Sequence, residues 1–170
     1  WSFWPNGLYQ VTWNSPLTAK LLLEAGAALT KNGYPYTRQQ VTDIFGFEVK
    51  ETDVAILEAS TGFRYNAKGG AGYANVNDQD RYVQRFSVAY VTGTHAFKTG
   101  MQLQEGVLNQ DRLINQDIEY VMLRGLPSSI VQWATPIQIR ARTFPDLGVY
   151  AQDQWTIRQL TVNLGLRFDY

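Results

Sequence analysis

Leu160-Thr161-Val162-Asn163-Leu164-Gly165-Leu166-Arg167-Phe168-Asp169-Tyr170 alternates without a break. Leu160, Val162, Leu164, Leu166, Phe168 and Tyr170 take every other position, and Thr161, Asn163, Gly165, Arg167 and Asp169 fill the places between. Side chains alternate faces along an extended strand, so one face is apolar and the other polar. Gly148 to Ile157 alternates in the same way, and a short turn at Arg158-Gln159 joins the two as a hairpin. An unbroken apolar row ending in two aromatics suits a strand facing lipid, with a polar lumen behind it.

The same period recurs upstream. Leu8 to Trp13 sets Tyr9, Val11 and Trp13 against Leu8, Gln10 and Thr12, and Asn14-Ser15-Pro16 reads as a turn because proline cannot continue a ladder. Ala19 to Thr30 places Leu21, Leu23, Ala25, Ala27 and Leu29 on one face. Leu and Ala also favour helix, but Gly26 and the neighbouring pattern favour strand. Arg81 to Val91 and His95 to Glu105 alternate around a tight turn at Thr92-Gly93-Thr94. Residues 31–79 and 106–145 are irregular, with strand-like excursions expected over Val41–Val49, Val54–Tyr65, Tyr120–Arg124 and Ile130–Arg140.

Connections therefore alternate between short (14–18, 92–94, 158–159) and long (31–79, 106–145). Outer-membrane barrels sort their connections in this way, with short periplasmic turns and long extracellular loops. Trp13, Tyr90, Phe97 and Trp155 lie near the short turns, where an aromatic girdle belongs, and Tyr82, Phe168 and Tyr170 lie at the opposite strand ends. Asp153 is the misfit, a charge on the same nominal face as Val149, Ala151 and Trp155.

Composition narrows the functions. The 170 residues carry 15 basic and 15 acidic side chains, so the broad basic excess of a nucleic-acid binder is missing. The absence of cysteine excludes disulfide scaffolds and thiolate metal sites. No apolar run is long enough for a transmembrane helix, which leaves barrel strands open because they need only about 9–11 residues. Aromatics at 14% suit membrane girdles or a soluble carbohydrate-binding sheet. The start at Trp1, without Met or a signal peptide, reads as a processed product or a piece of something longer.

The hairpin Gly148-Val149-Tyr150-Ala151-Gln152-Asp153-Gln154-Trp155 with Leu160–Tyr170 resembles paired barrel strands of TonB-dependent outer-membrane receptors. Tyr9–Pro16 with Leu21–Gly26, His95–Gly100, and Gly125-Leu126-Pro127 with Gln132–Pro136 are similar to the large Oar-like branch of those receptors. The resemblance implies an all-β, antiparallel transmembrane barrel in the bacterial outer membrane that takes up a large nutrient: chelated iron, a glycan or a peptide. Residues 1–170 would be one segment of such a barrel. They contain no plug domain and no recognisable TonB box, so TonB would act only through a plug the segment lacks. The expected partners are outer-membrane lipid and an unidentified nutrient.

No catalytic, metal or cofactor site is expected. His95 is the only histidine, Asp78 and Asp80 lack the liganding pattern of a calcium loop, and Ser15, Ser60, Ser128 and Ser129 lack a nucleophile-elbow context. Paired carboxylates such as Glu48 and Glu51 could in principle do glycosidase work, but their separation is not readable from sequence. Tyr34, Tyr36, Arg38 and Trp133, all in the long loops, are the candidate ligand-binding residues, because Tyr, Trp and Arg anchor most binding surfaces. Arg81, Arg85, Lys98 and Arg167 are expected on the inward face, pairing with Glu24 and Asp169. Two alternatives stand beside the receptor reading. One is a small, complete eight-stranded outer-membrane barrel with a structural or adhesive role, and the other a soluble β domain that binds glycans or hydrolyses its substrate.

Overall fold

The computed structural model describes residues 6–39, 46–70 and 72–170. The fold is all-β, with sheets built chiefly from antiparallel pairs. Eleven strands are present among the described residues: β1 (Gly7–Pro16), β2 (Leu21–Lys31), β3 (Ala55–Glu58), β4 (Phe63–Tyr65), β5 (Tyr73–Val91), β6 (His95–Leu113), β7 (Ile118–Leu123), β8 (Leu126–Gln132), β9 (Ile137–Arg142), β10 (Asp146–Ile157) and β11 (Leu160–Asp169). They fall into two compact units, one of residues 33–78 and 108–141, the other of residues 5–32, 79–107 and 142–170. β5 and β6 each contribute to both.

The main sheet, ordered β1-β2-β5-β6-β10-β11, lies mostly in the second unit, and β9, which belongs to the first unit up to Ala141, also pairs β6. Its register carries the alternation across neighbouring strands. Val11 pairs with Ala27, and Ala27 with Gln84. Thr99 pairs with Ala151, and Ala151 with Leu166. Paired residues share a face, so the apolar rows merge into one wall carrying Tyr9, Val11, Trp13, Leu29, Tyr82, Phe86, Phe97, Met101, Val149, Trp155, Leu164, Leu166 and Phe168. Many of these side chains are exposed, Leu166 at 85% and Phe168 at 67%. Contiguous exposed apolar surface of this kind is rare on a monomer in water and marks a membrane or partner surface.

The opposite face is polar and tightly seated. Glu24 accepts from Lys98 Nζ at 2.5 Å and Ser87 Oγ at 2.9 Å, and Arg167 pairs with Asp169 at 2.7 Å. Both ion pairs match the sequence-based expectation. Glycines make room for the long side chains. A Cβ at Gly26 would lie 2.8 Å from Arg85 Nε, and one at Gly148 would collide with Arg167.

The other unit has a separate sheet ordered β4-β3-β7-β8, in which β3 and β7 run parallel and the remaining pairs antiparallel. Arg124 (φ 54°) and Gly125 (φ 76°) form the two-residue β7–β8 turn. Positive φ at both positions is the geometry that matches strand twist.

Several expected boundaries move. The first turn falls at residues 17–20, with Asn14–Pro16 still in β1, which ends on its proline. β5 begins at Tyr73 and β6 continues to Leu113, so both long connections are shorter than expected. Ile130–Arg140 is two strands interrupted at residues 133–136, where Pro136 removes a ladder donor. Of the strand expected over Val41–Val49, residues 41–45 lie outside the described residues and 46–49 are not extended into a ladder.

Candidate functional site: a lipid-facing wall and an aromatic cluster

Two polar side-chain pairs interrupt the apolar wall, each near one end of it. At the short-turn end His95 Nδ1 lies 2.6 Å from Asp153 Oδ2, and the His95 ring stacks on Trp155 with centroids 5.4 Å apart. The register puts His95, Phe97, Asp153 and Trp155 on one face, which accounts for the misfit read from the sequence. The aspartate sits beside the girdle tryptophan with a partner, where a lipid-face charge costs least. At the other end Arg142 Nη2 binds Glu105 Oε2 at 2.8 Å. His95 and Glu105 are ten positions apart on β6. That is about 33 Å along a strand, or about 25 Å of height at a tilt of roughly 40°, the thickness of a barrel's apolar band.

A family model described as Outer membrane beta barrel domain matches residues 3–170. The chain belongs to this outer membrane beta barrel family. No curated protein and no solved structure matches it. Membership places this outer membrane beta barrel domain in the bacterial outer membrane, and of its two faces the exposed apolar wall, not the Glu24–Lys98–Ser87 face, has the chemistry that suits lipid.

The four loop residues singled out from the sequence lie in the unit of residues 33–78 and 108–141, whose interior is held by buried polar side chains. Asn115 accepts from Arg38 Nε at 2.8 Å and donates to the carbonyls of Lys50 (2.8 Å) and Asp53 (2.9 Å). Asn77 donates to Tyr34 O at 3.1 Å and accepts from Gln110 Nε2 at 2.7 Å. Glu119, 2% exposed, accepts from Arg64 Nε at 2.9 Å and from Gly70 N at 3.4 Å. Satisfied buried networks of this kind fix one arrangement of the segments they join.

Tyr34 and Tyr36 meet edge to face at 5.6 Å, and Lys68 Nζ lies 4.4 Å over the Tyr36 ring. Trp133 packs beside Gly70, where a Cβ would stand 3.3 Å from the indole. The short segment 68–70 therefore touches both Tyr36 and Trp133. Arg38 is engaged otherwise, holding Asn115 and Glu51 (3.1 Å) and lying 5.4 Å over Tyr73.

Two donors in this cluster stand out. The buried indole N–H of Trp133 meets no acceptor among the described residues. No carboxylate among the described residues pairs with Lys68, whose pKa is pushed down by burial and then by the nearby Arg112 charge. Lys68 was missed in the sequence, where Lys68-Gly69-Gly70 reads only as loop. Its glycines are explained by the fold, since a Cβ on Gly69 would collide with the Glu119 carboxylate. Among the described residues no cluster of three or more His, Cys, Asp or Glu could hold a metal ion.

Proposed function

We propose that this chain is part of the barrel of a TonB-dependent receptor that takes up a large, oxygen-rich nutrient, and that Tyr34, Tyr36, Lys68 and Trp133 contact it. The observation that carries the reading is the aromatic cluster of Tyr34, Tyr36 and Trp133 beside the N–H donors of the Lys68 ammonium, which lies 4.4 Å over the Tyr36 ring and pairs with no carboxylate among the described residues. Aromatic faces take the apolar faces of sugars or peptide side chains, and such donors take hydroxyl, carbonyl or carboxylate oxygens. Arg38 acts one step back by fixing the segment that bears Tyr34 and Tyr36. The main sheet supports a wall larger than its seven strands, because β1 and β11 each have a strand partner on one side only among the described residues. Energy would come from TonB through a plug domain.

The test is accumulation of a labelled ferric chelate, an oligosaccharide and a peptide by cells producing the complete gene product, with and without an uncoupler. One class should accumulate only in energised cells, and Trp133→Ala should weaken its binding at least about fivefold. Accumulation indifferent to the uncoupler, or none for any class, would favour a structural or adhesive barrel instead.

A further inference from the structure

The lipid-facing wall is not uniformly flat. A groove of about 590 Å³ lies over β5 and β6, lined by the apolar Tyr82, Phe86, Met101, Leu103 and Val107 together with Gln84 and Arg85, with Arg142 at its lip. That volume falls within the roughly 300–1,000 Å³ of small-molecule sites. Most of its lining is apolar, and the lip lies level with the Glu105–Arg142 pair, at the edge of the apolar band. Arg142 is 70% exposed and gives Glu105 one of its donors, while the remaining guanidinium N–H groups meet no acceptor among the described residues.

We infer that this groove seats one acyl chain of a phosphate-bearing membrane lipid, with the lipid's phosphate on Arg142. The inference rests on the outer-membrane placement of the wall and not on the nutrient-uptake reading. The chemistry is divided as a lipid requires, hydrocarbon below and a planar forked cation above. Guanidinium suits a phosphate because its parallel N–H groups match two phosphate oxygens. Glu105 keeps Arg142 on the lip, and the Thr143 N–H bond to Gly106 O at 2.8 Å fixes the backbone beside it. The groove lies on the face bathed by acyl chains, so a lipid reaches it without leaving the bilayer. A soluble anion would bring nothing to fill the floor.

The test is native mass spectrometry of the complete protein, delipidated in detergent and offered phosphatidylglycerol or a phosphate-free galactosyl diacylglycerol of equal chain length. Wild type should retain phosphatidylglycerol preferentially. Arg142→Gln should lower that preference about fivefold, the effect of one interfacial cation on an anionic lipid. Met101→Trp, which fills the floor, should lower retention of both lipids. Arg81→Gln removes an equal charge from the polar face and should change nothing. Excess inorganic phosphate should leave the bound lipid in place. The inference is overturned if Arg142→Gln keeps the full preference, if Arg81→Gln loses as much, or if inorganic phosphate displaces the lipid. Met101→Trp decides the matter alone should Arg142→Gln fail to fold: unchanged retention refutes the seat.

Discussion

Replacing Leu166 by arginine tests the orientation of the whole sheet. Leu166 pairs with Ala151, which pairs with Thr99, four residues from His95 and six from Glu105. At about 2.5 Å of height per residue in a tilted strand, it lies about 10 Å inside one edge of the apolar band and about 15 Å from the other. Its side chain is 85% exposed, so no protein packing offsets the change. Arginine near the midplane costs about 2–4 kcal/mol, a loss of about 30- to 700-fold in the folding equilibrium. Asn163→Arg, three residues away on the opposite face, should stay within about 0.5 kcal/mol. Both are measured by urea unfolding of the complete protein in phosphatidylcholine vesicles. Equal costs for the two, or the larger cost at Asn163, would refute the assignment of faces.

Three further outcomes follow from particular contacts. Gly100→Ala should destabilise the sheet by about 1–3 kcal/mol, because the new Cβ would sit 2.6 Å from Phe86 O and 2.7 Å from Tyr150 Oη. Tyr150→Phe should not rescue it in the same urea assay, since the backbone carbonyl cannot move aside. A double-mutant cycle of His95→Phe and Asp153→Leu should show coupling of at least about 0.5 kcal/mol, whereas additive losses would mean the pair contributes nothing. The Glu58 carboxylate accepts from the Ser60 hydroxyl and from the amides of Gly125, Ser60 and Arg124, which holds its pKa at about 2. A depressed carboxylate stabilises fully above its unfolded value of 4.5 and loses that contribution as pH falls through about 2. The Gly125 amide resonance, followed with labelled glycine, should therefore titrate near 2, and a midpoint near 4.5 would contradict the clasp.

The sequence was legible where lipid imposes a rule. Between His95 and Glu105 one face of every strand must be apolar, so alternation survives and gives the closing hairpin, the faces and the Glu24–Lys98 and Arg167–Asp169 pairs. Beyond Val107 and before Gln79 neither face is held to that rule. Stretches such as Asn75-Val76-Asn77-Asp78 and Asn109-Gln110-Asp111-Arg112 look like loop although they are strand. The sheet of β3, β4, β7 and β8 was hidden for another reason. Its parallel pairing joins Ile56 to Tyr120, 64 positions apart, and no local period encodes such a partner. Arg38 looked like a ligand anchor because nothing near it in the chain announces Asn115. Lys68 escaped notice because its significance lies in the Tyr36 ring beside it and in having no carboxylate partner among the described residues.

The spacing of His95–Asp153 and Glu105–Arg142 also has a meaning for the membrane itself. Two polar pairs, each with one member on β6, act as a gauge, since a bilayer thicker than their separation would draw one pair into hydrocarbon. Hydrophobic mismatch costs fractions of a kcal/mol per ångström and sorts proteins among membranes of different thickness. A wall graduated at about 25 Å fits the thin outer membrane of bacteria and would be strained in a thicker one. The polar pairs set into an apolar surface thus mark the thickness of membrane this wall fits.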